Sequence, residues 1–117
     1  MKKLLLLLFI INCSLLMNNS FAQAPNAIPY QGVARNAAGN ILAAQPISLR
    51  ISIHDVTASG TVVFSETHAV TTNTLGLFNV NIGSGTALTG TLTGVDWGNG
   101  AKFIQVEMDP AGGIAYA

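Results

Sequence analysis

The sequence predicts an all-β fold: an antiparallel β-sandwich of about seven strands with Greek-key connections, preceded by a helical leader. Three observations predict it. From residue 23 onward no stretch holds a sustained 3.6-residue apolar period. β-Branched residues instead alternate with polar ones in several short runs, the pattern of strands with one buried and one wet face. Clusters of Gly, Asn, Asp and Pro separate the runs, as turns require.

The leader comes first. Met1-Lys2-Lys3 is a short positive stretch, residues 4–17 are an apolar run, and Asn18-Asn19 end it. Ser20-Phe21-Ala22 then places small residues at −3 and −1 of a cleavage site between Ala22 and Gln23. The apolar run is shorter than the about 20 residues a permanent span needs, so no membrane span is expected after cleavage. Cys13 follows Asn12 rather than a small residue, which does not suit lipoprotein processing. Residues 1–22 are therefore read as a signal peptide and 23–117 as one β-sandwich domain. The expected location is the periplasm, the cell surface or the medium.

The strands follow in order. Residues 28–35 form the first, and 36–40 a turn in which Gly39 or an asparagine takes positive φ. Ile41-Leu42 resumes extended chain, and Pro46, which cannot donate to a ladder, marks a strand start. Residues 47–54 alternate most cleanly: Ile47, Leu49, Ile51 and Ile53 face one way, Ser48, Arg50, Ser52 and His54 the other. Residues 61–72 return as a second long strand whose two halves disagree in parity, so a bulge is expected near Ser65. After a turn at 73–76, Phe78, Val80 and Ile82 mark a further strand. Residues 83–100 read as a Gly- and Thr-rich loop with a short strand near Leu92. Residues 102–108 form the last long strand, with Lys102, Ile104, Val106 and Met108 on one side. A turn at 109–113 leads into 114–117, read as the beginning of another strand. The domain is expected to stop short of its final strand and to be the first module of something longer.

Composition excludes several functions. The 117-residue chain has a formal net charge of zero, but Lys2 and Lys3 belong to the leader. The remainder keeps Arg35, Arg50 and Lys102 against five acidic residues, a net −2 with no phosphate-neutralising patch, which argues against nucleic acid. After cleavage no cysteine remains for a disulfide, a nucleophile or a metal. Gly83, Gly85, Gly90 and Gly94 are followed by no lysine and no helix, so they are not a phosphate loop.

The clustered titratable residues are His54-Asp55 and Glu66-x-His68. Residues two apart share a strand face, so Glu66 and His68 have the placement of a metal pair, but a third ligand is not evident. Closing the hairpin at Ala58 puts Arg50 opposite Glu66 and His68 near Ser48, a solvated cross-strand charge pair. No nucleophile elbow accompanies the serines. Asp96-Trp97-Gly98-Asn99-Gly100 and Asp109-Pro110 carry oxygen ligands that suit calcium, but also the residues that ordinary turns use. Trp97 is a stacking surface for a sugar or, as first expectation, a plug of the core. No catalytic residue, cofactor or metal is expected; Asp96, Trp97 and Asn99 form the one candidate ligand loop.

Spaced blocks also carry a resemblance. They include Gln31-Gly32-Val33-Ala34-Arg35-Asn36-Ala37-Ala38-Gly39-Asn40, the 47–53 strand, Phe64-Ser65-Glu66-Thr67-His68, Asp96-Trp97-Gly98-Asn99-Gly100 and Val106-Glu107-Met108-Asp109-Pro110. Together they resemble the N-terminal domain of exported proteins of Bacteroidetes-type bacteria, which precedes collagen-like or tail-fibre-like segments. Gly32, Gly39, Thr72-Asn73, Gly76 and Phe78 are, more distantly, similar to carboxypeptidase-regulatory-like and transthyretin-like sandwiches. The resemblance implies an Ig/transthyretin-like sandwich without activity of its own, and it transfers no site residues. The expected function is a non-catalytic structural or interaction module whose partners are downstream domains of the same polypeptide or cell-envelope components. The alternative is a glycan- or calcium-binding module using residues 83–100.

Overall fold

The structure, a computed structural model, describes residues 26–117. The leader and the junction between Ala22 and Gln23 lie outside the described residues. The described residues are all-β, with six strands: β1 (Ile28–Val33), β2 (Pro46–Asp55), β3 (Val62–Thr71), β4 (Leu77–Ile82), β5 (Thr86–Thr89) and β6 (Lys102–Asp109). They form two antiparallel sheets, β1-β4 and β5-β3-β2-β6.

The alternation in β2 decides which face is covered. Ile47, Leu49, Ile51 and Ile53 are each at most 1% exposed. They build two apolar clusters that draw on both sheets. Ile51, Ile53 and Phe64 pack with Ile82, Leu92 and Val95, while Ile47 and Leu49 pack with Ala34 and Phe78. Tyr30 and Val80 border both clusters. Fully burying each such isoleucine or leucine is worth roughly 1.5–3 kcal/mol, so this face holds the sheets together. Gly32 enables the close approach of β1: a Cβ there would lie 2.6 Å from Cζ of the Phe78 ring.

Several expectations are corrected. The irregularity expected near Ser65 is present where β3 pairs with β5, between Ser65 and Glu66, but the β2–β3 pairing has its own at Val63: His54 pairs with Val62 and Ile53 with Phe64. The even-numbered residues from Phe64 to Val70 consequently stay on the inner face, and Glu66 points inward, opposite Ile51. The short strand after β4 is at Thr86–Thr89, pairing with β3, and not near Leu92. Leu92 is instead 4% exposed and belongs to the core. Ile41 makes an isolated bridge with Arg35. Residues 114–117 do not form a strand, yet Ala117 and Met108 exchange both backbone hydrogen bonds (3.1 and 3.2 Å).

Candidate functional site

The inward position of Glu66 makes it the most enclosed charged residue described, 1% exposed on the apolar side of the four-stranded sheet. An isolated carboxylate there would be costly, and its surroundings compensate. Oε1 accepts the Gly83 N–H (2.8 Å) and lies 2.6 Å from His68 Nε2, while Oε2 accepts the Gly85 N–H (3.0 Å). Gly85 is held so close to β3 that a Cβ would fall 2.7 Å from His68 Nε2. The carboxylate thus clamps the start of the 83–100 segment against β3, and both its oxygens are engaged. A cleft of about 150 Å³ beside it is lined by Phe64, Gly90 and Leu92 among others. Among the described residues no three of His, Cys, Asp or Glu converge on one point.

Arg50 does not meet Glu66. Thr67 stands opposite it on β3, and its guanidinium forms a two-pronged ion pair with Glu107 of β6: Nε to Oε1 at 2.9 Å, Nη2 to Oε2 at 2.8 Å. This hydrogen bonding holds the Glu107 carboxyl below its usual range and raises Arg50 above its own. The Tyr116 ring lies 4.9 Å from the guanidinium carbon. His68 stands opposite Leu49 rather than near Ser48, because the register differs by one residue from that of a hairpin closed at Ala58.

His54 and Asp55 do not act together. His54 reaches the Gly60 carbonyl through Nδ1 (2.8 Å) and Gln105 Oε1 through Nε2 (2.7 Å). Two acceptors, Gly60 first and then Gln105, favour the protonated ring and raise its pKa. Asp55 pairs with Lys102 at 2.8 Å.

The 83–100 segment is organised inward as well. Trp97 is half-buried against the Ile51–Phe64 cluster, and its Nε1–H donates to the Leu92 carbonyl at 3.2 Å. Asp96 and Asn99 are exposed and close a turn, with the Asn99 N–H on the Asp96 carbonyl (3.2 Å). Lys102 Nζ donates to the Asn99 carbonyl (2.6 Å), which places this turn at the start of β6. Asp109 is at the other end of β6, where its carboxylate accepts the N–H groups of Ala111 (2.9 Å) and Ala115 (3.0 Å). Those bonds lower its pKa. Seven residue steps of about 3.4 Å separate the two ends, so Asp96 and Asp109 do not share a site.

Two surface features escaped the sequence reading. One is a trough on the outer face of the four-stranded sheet, with buried Ser52 and Ser65 in its floor. The other is an apolar groove of about 310 Å³ between β1 and β6, lined by Tyr30, Leu49, Phe78, Val106 and Met108. Cross-strand register creates the trough and the packing of one sheet on the other creates the groove, and a single strand pattern carries no signal for either.

Residues 29–116 match the model of a family described as "Domain of unknown function (DUF8740)". Comparison with curated proteins and with solved structures finds no match.

Proposed function

The chain belongs to this DUF8740 family, and from that premise we propose that it is a non-catalytic structural and interaction module, exported and placed at the N-terminal end of a longer cell-surface or secreted polypeptide. Its fold on this reading is an Ig/transthyretin-like Greek-key sandwich of about seven strands, six of them described. The resemblance to N-terminal domains of exported proteins fits that place, with downstream domains or cell-envelope components as partners.

The observation that carries the reading is the uncovered inner face along β6. Ile104 stands opposite Ile53 on the core-facing side, yet it is 46% exposed. The two-stranded sheet covers β2 and β3 and leaves the groove between β1 and β6 open. Met108 directs both its N–H and its carbonyl away from β2 to Ala117. By antiparallel alternation, Val106 and Ile104 present theirs to the same edge. Open edges template the addition of strands, and a further strand in the Met108–Ala117 register would pair with β6 and shield Ile104 along its flank.

The intact mass of the native protein, taken from cell-envelope and culture fractions, tests this. A mass well above that of residues 23–117 and beginning at Gln23 is expected. A native mass equal to residues 23–117, with a monodisperse monomer in size-exclusion chromatography, would refute it. A ligand site at Asp96, Trp97 and Asn99 has less support, because the indole is engaged with the core and Leu92.

A further inference from the structure

Beyond the scaffold reading, the geometry points to a saccharide-binding trough across the outer face of the four-stranded sheet, with Ser52 and Ser65 as its floor. The register places Thr89, Ser65, Ser52 and Gln105 in one row crossing β5, β3, β2 and β6. Three interstrand spacings make that row about 14 Å long. Ser52 and Ser65 are 5% and 6% exposed, sunk between larger neighbours, and the C-terminal segment crosses the same face beside them, where the Gly113 carbonyl accepts the Ser48 hydroxyl and the Tyr116 ring lies over the Arg50 guanidinium. The resulting open trough has a volume of about 460 Å³, within the roughly 300–1,000 Å³ typical of small-molecule sites.

Its two sides differ. On one stand Arg50 and Glu107, held by their two hydrogen bonds, and Gln105, whose amide oxygen is held by His54. These side chains are already ordered, so binding costs them little conformational entropy. On the other side Val62 and Leu88 are 37% and 57% exposed. The floor hydroxyls both donate and accept. A ligand for this trough therefore has an edge rich in hydroxyl groups and an apolar C–H face, which is the chemistry of a sugar. Arg50 is balanced by Glu107, which removes the charge that a phosphate or a carboxylate ligand would need. Extended peptides add to sheet edges through their main chain, and here the floor lies on β2 and β3, the two central strands of the sheet.

Native affinity electrophoresis of the purified protein in gels containing starch, xylan, mannan or galactan, with heparin and polygalacturonate as charged controls, tests the proposal. At least one neutral polysaccharide is expected to retard the protein. Ser52→Leu, which fills the floor, should weaken retardation at least tenfold with an unchanged melting curve, whereas Trp97→Phe should leave it intact. Gln105→Ala serves as the second variant if Ser52→Leu does not fold. No retardation by any neutral polymer would overturn the proposal, as would binding of both trough variants at the wild-type level. Retardation by charged polymers alone would also overturn it. Self-association abolished by Ser52→Leu, without glycan binding, would assign the trough to a second copy of the chain instead.

Discussion

Replacing Glu66 with alanine removes the only acceptor that the Gly83 and Gly85 N–H groups are seen to use, and leaves His68 Nε2 without its 2.6 Å partner. The Glu66 side chain is 2% exposed and that of His68 10%, so water reaches neither readily. Each buried donor left unsatisfied costs about 1–3 kcal/mol. Gly83 is exposed and Gly85 half-buried, so water replaces part of the lost bonding, and the two backbone donors give a loss of about 2 kcal/mol, at the lower end of that range. At roughly 4–8 °C per kcal/mol for a domain of this size, 2 kcal/mol lowers Tm by about 8–16 °C. Glu66→Gln keeps one acceptor oxygen but points an NH₂ at a donor, so about half that loss is expected. Urea unfolding followed by the fluorescence of Trp97, the single tryptophan, measures both values. Amide exchange locates them, because Gly83 and Gly85 should lose protection before β2 does. A Glu66→Ala loss under about 1 kcal/mol, or unchanged protection at Gly83 and Gly85, would refute the clamp.

Four further outcomes are expected. Gly32→Ala drives a Cβ into the Phe78 ring and should cost about 1–3 kcal/mol; chemical denaturation of Gly32→Ala with and without Phe78→Leu should show partial rescue. Trp97→Ala should cost about 2–3 kcal/mol by the same assay, below the 3–5 kcal/mol of a fully buried aromatic because the side chain is half-buried. Val56 sits at φ 68° and is 63% exposed, a costly conformation for a β-branched residue. Val56→Gly relieves about 1–2 kcal/mol of strain against about 0.4–1 kcal/mol of added unfolded-chain entropy, so Tm should rise by a few degrees. Thermal melts across pH should fall at both ends. His54, raised in the fold, contributes below its unfolded value of 6.5 and loses that contribution as pH rises through the folded value. Asp109, lowered in the fold, contributes above 3.8 and loses it as pH falls through its folded value. His54→Gln should flatten the alkaline side and Asp109→Asn the acid side.

The local features of this protein were legible because they depend on neighbours in the chain. Alternation over residues 47–54 specifies one buried face wherever the strand is placed. Pro46, the Asn73–Gly76 turn and the 109–113 turn sit at strand ends for reasons of φ and missing donors that no distant contact changes. Trp97 reads first as a core plug, and it packs half-buried against the cluster around Ile51 and Phe64. The tertiary structure decided what depends on register. One extra residue at Val63 keeps Glu66 on the inner face, turns an anticipated solvated pair with Arg50 into a clamp on Gly83 and Gly85, and gives Arg50 to Glu107 instead. A pleat has a period of two, so a shift of one residue exchanges the inner face for the outer. The strand's own pattern does not say where that shift falls. The serine-floored trough is likewise a property of strands side by side, and the groove between β1 and β6 of one sheet against the other. They exist only once residues far apart in the chain are brought together.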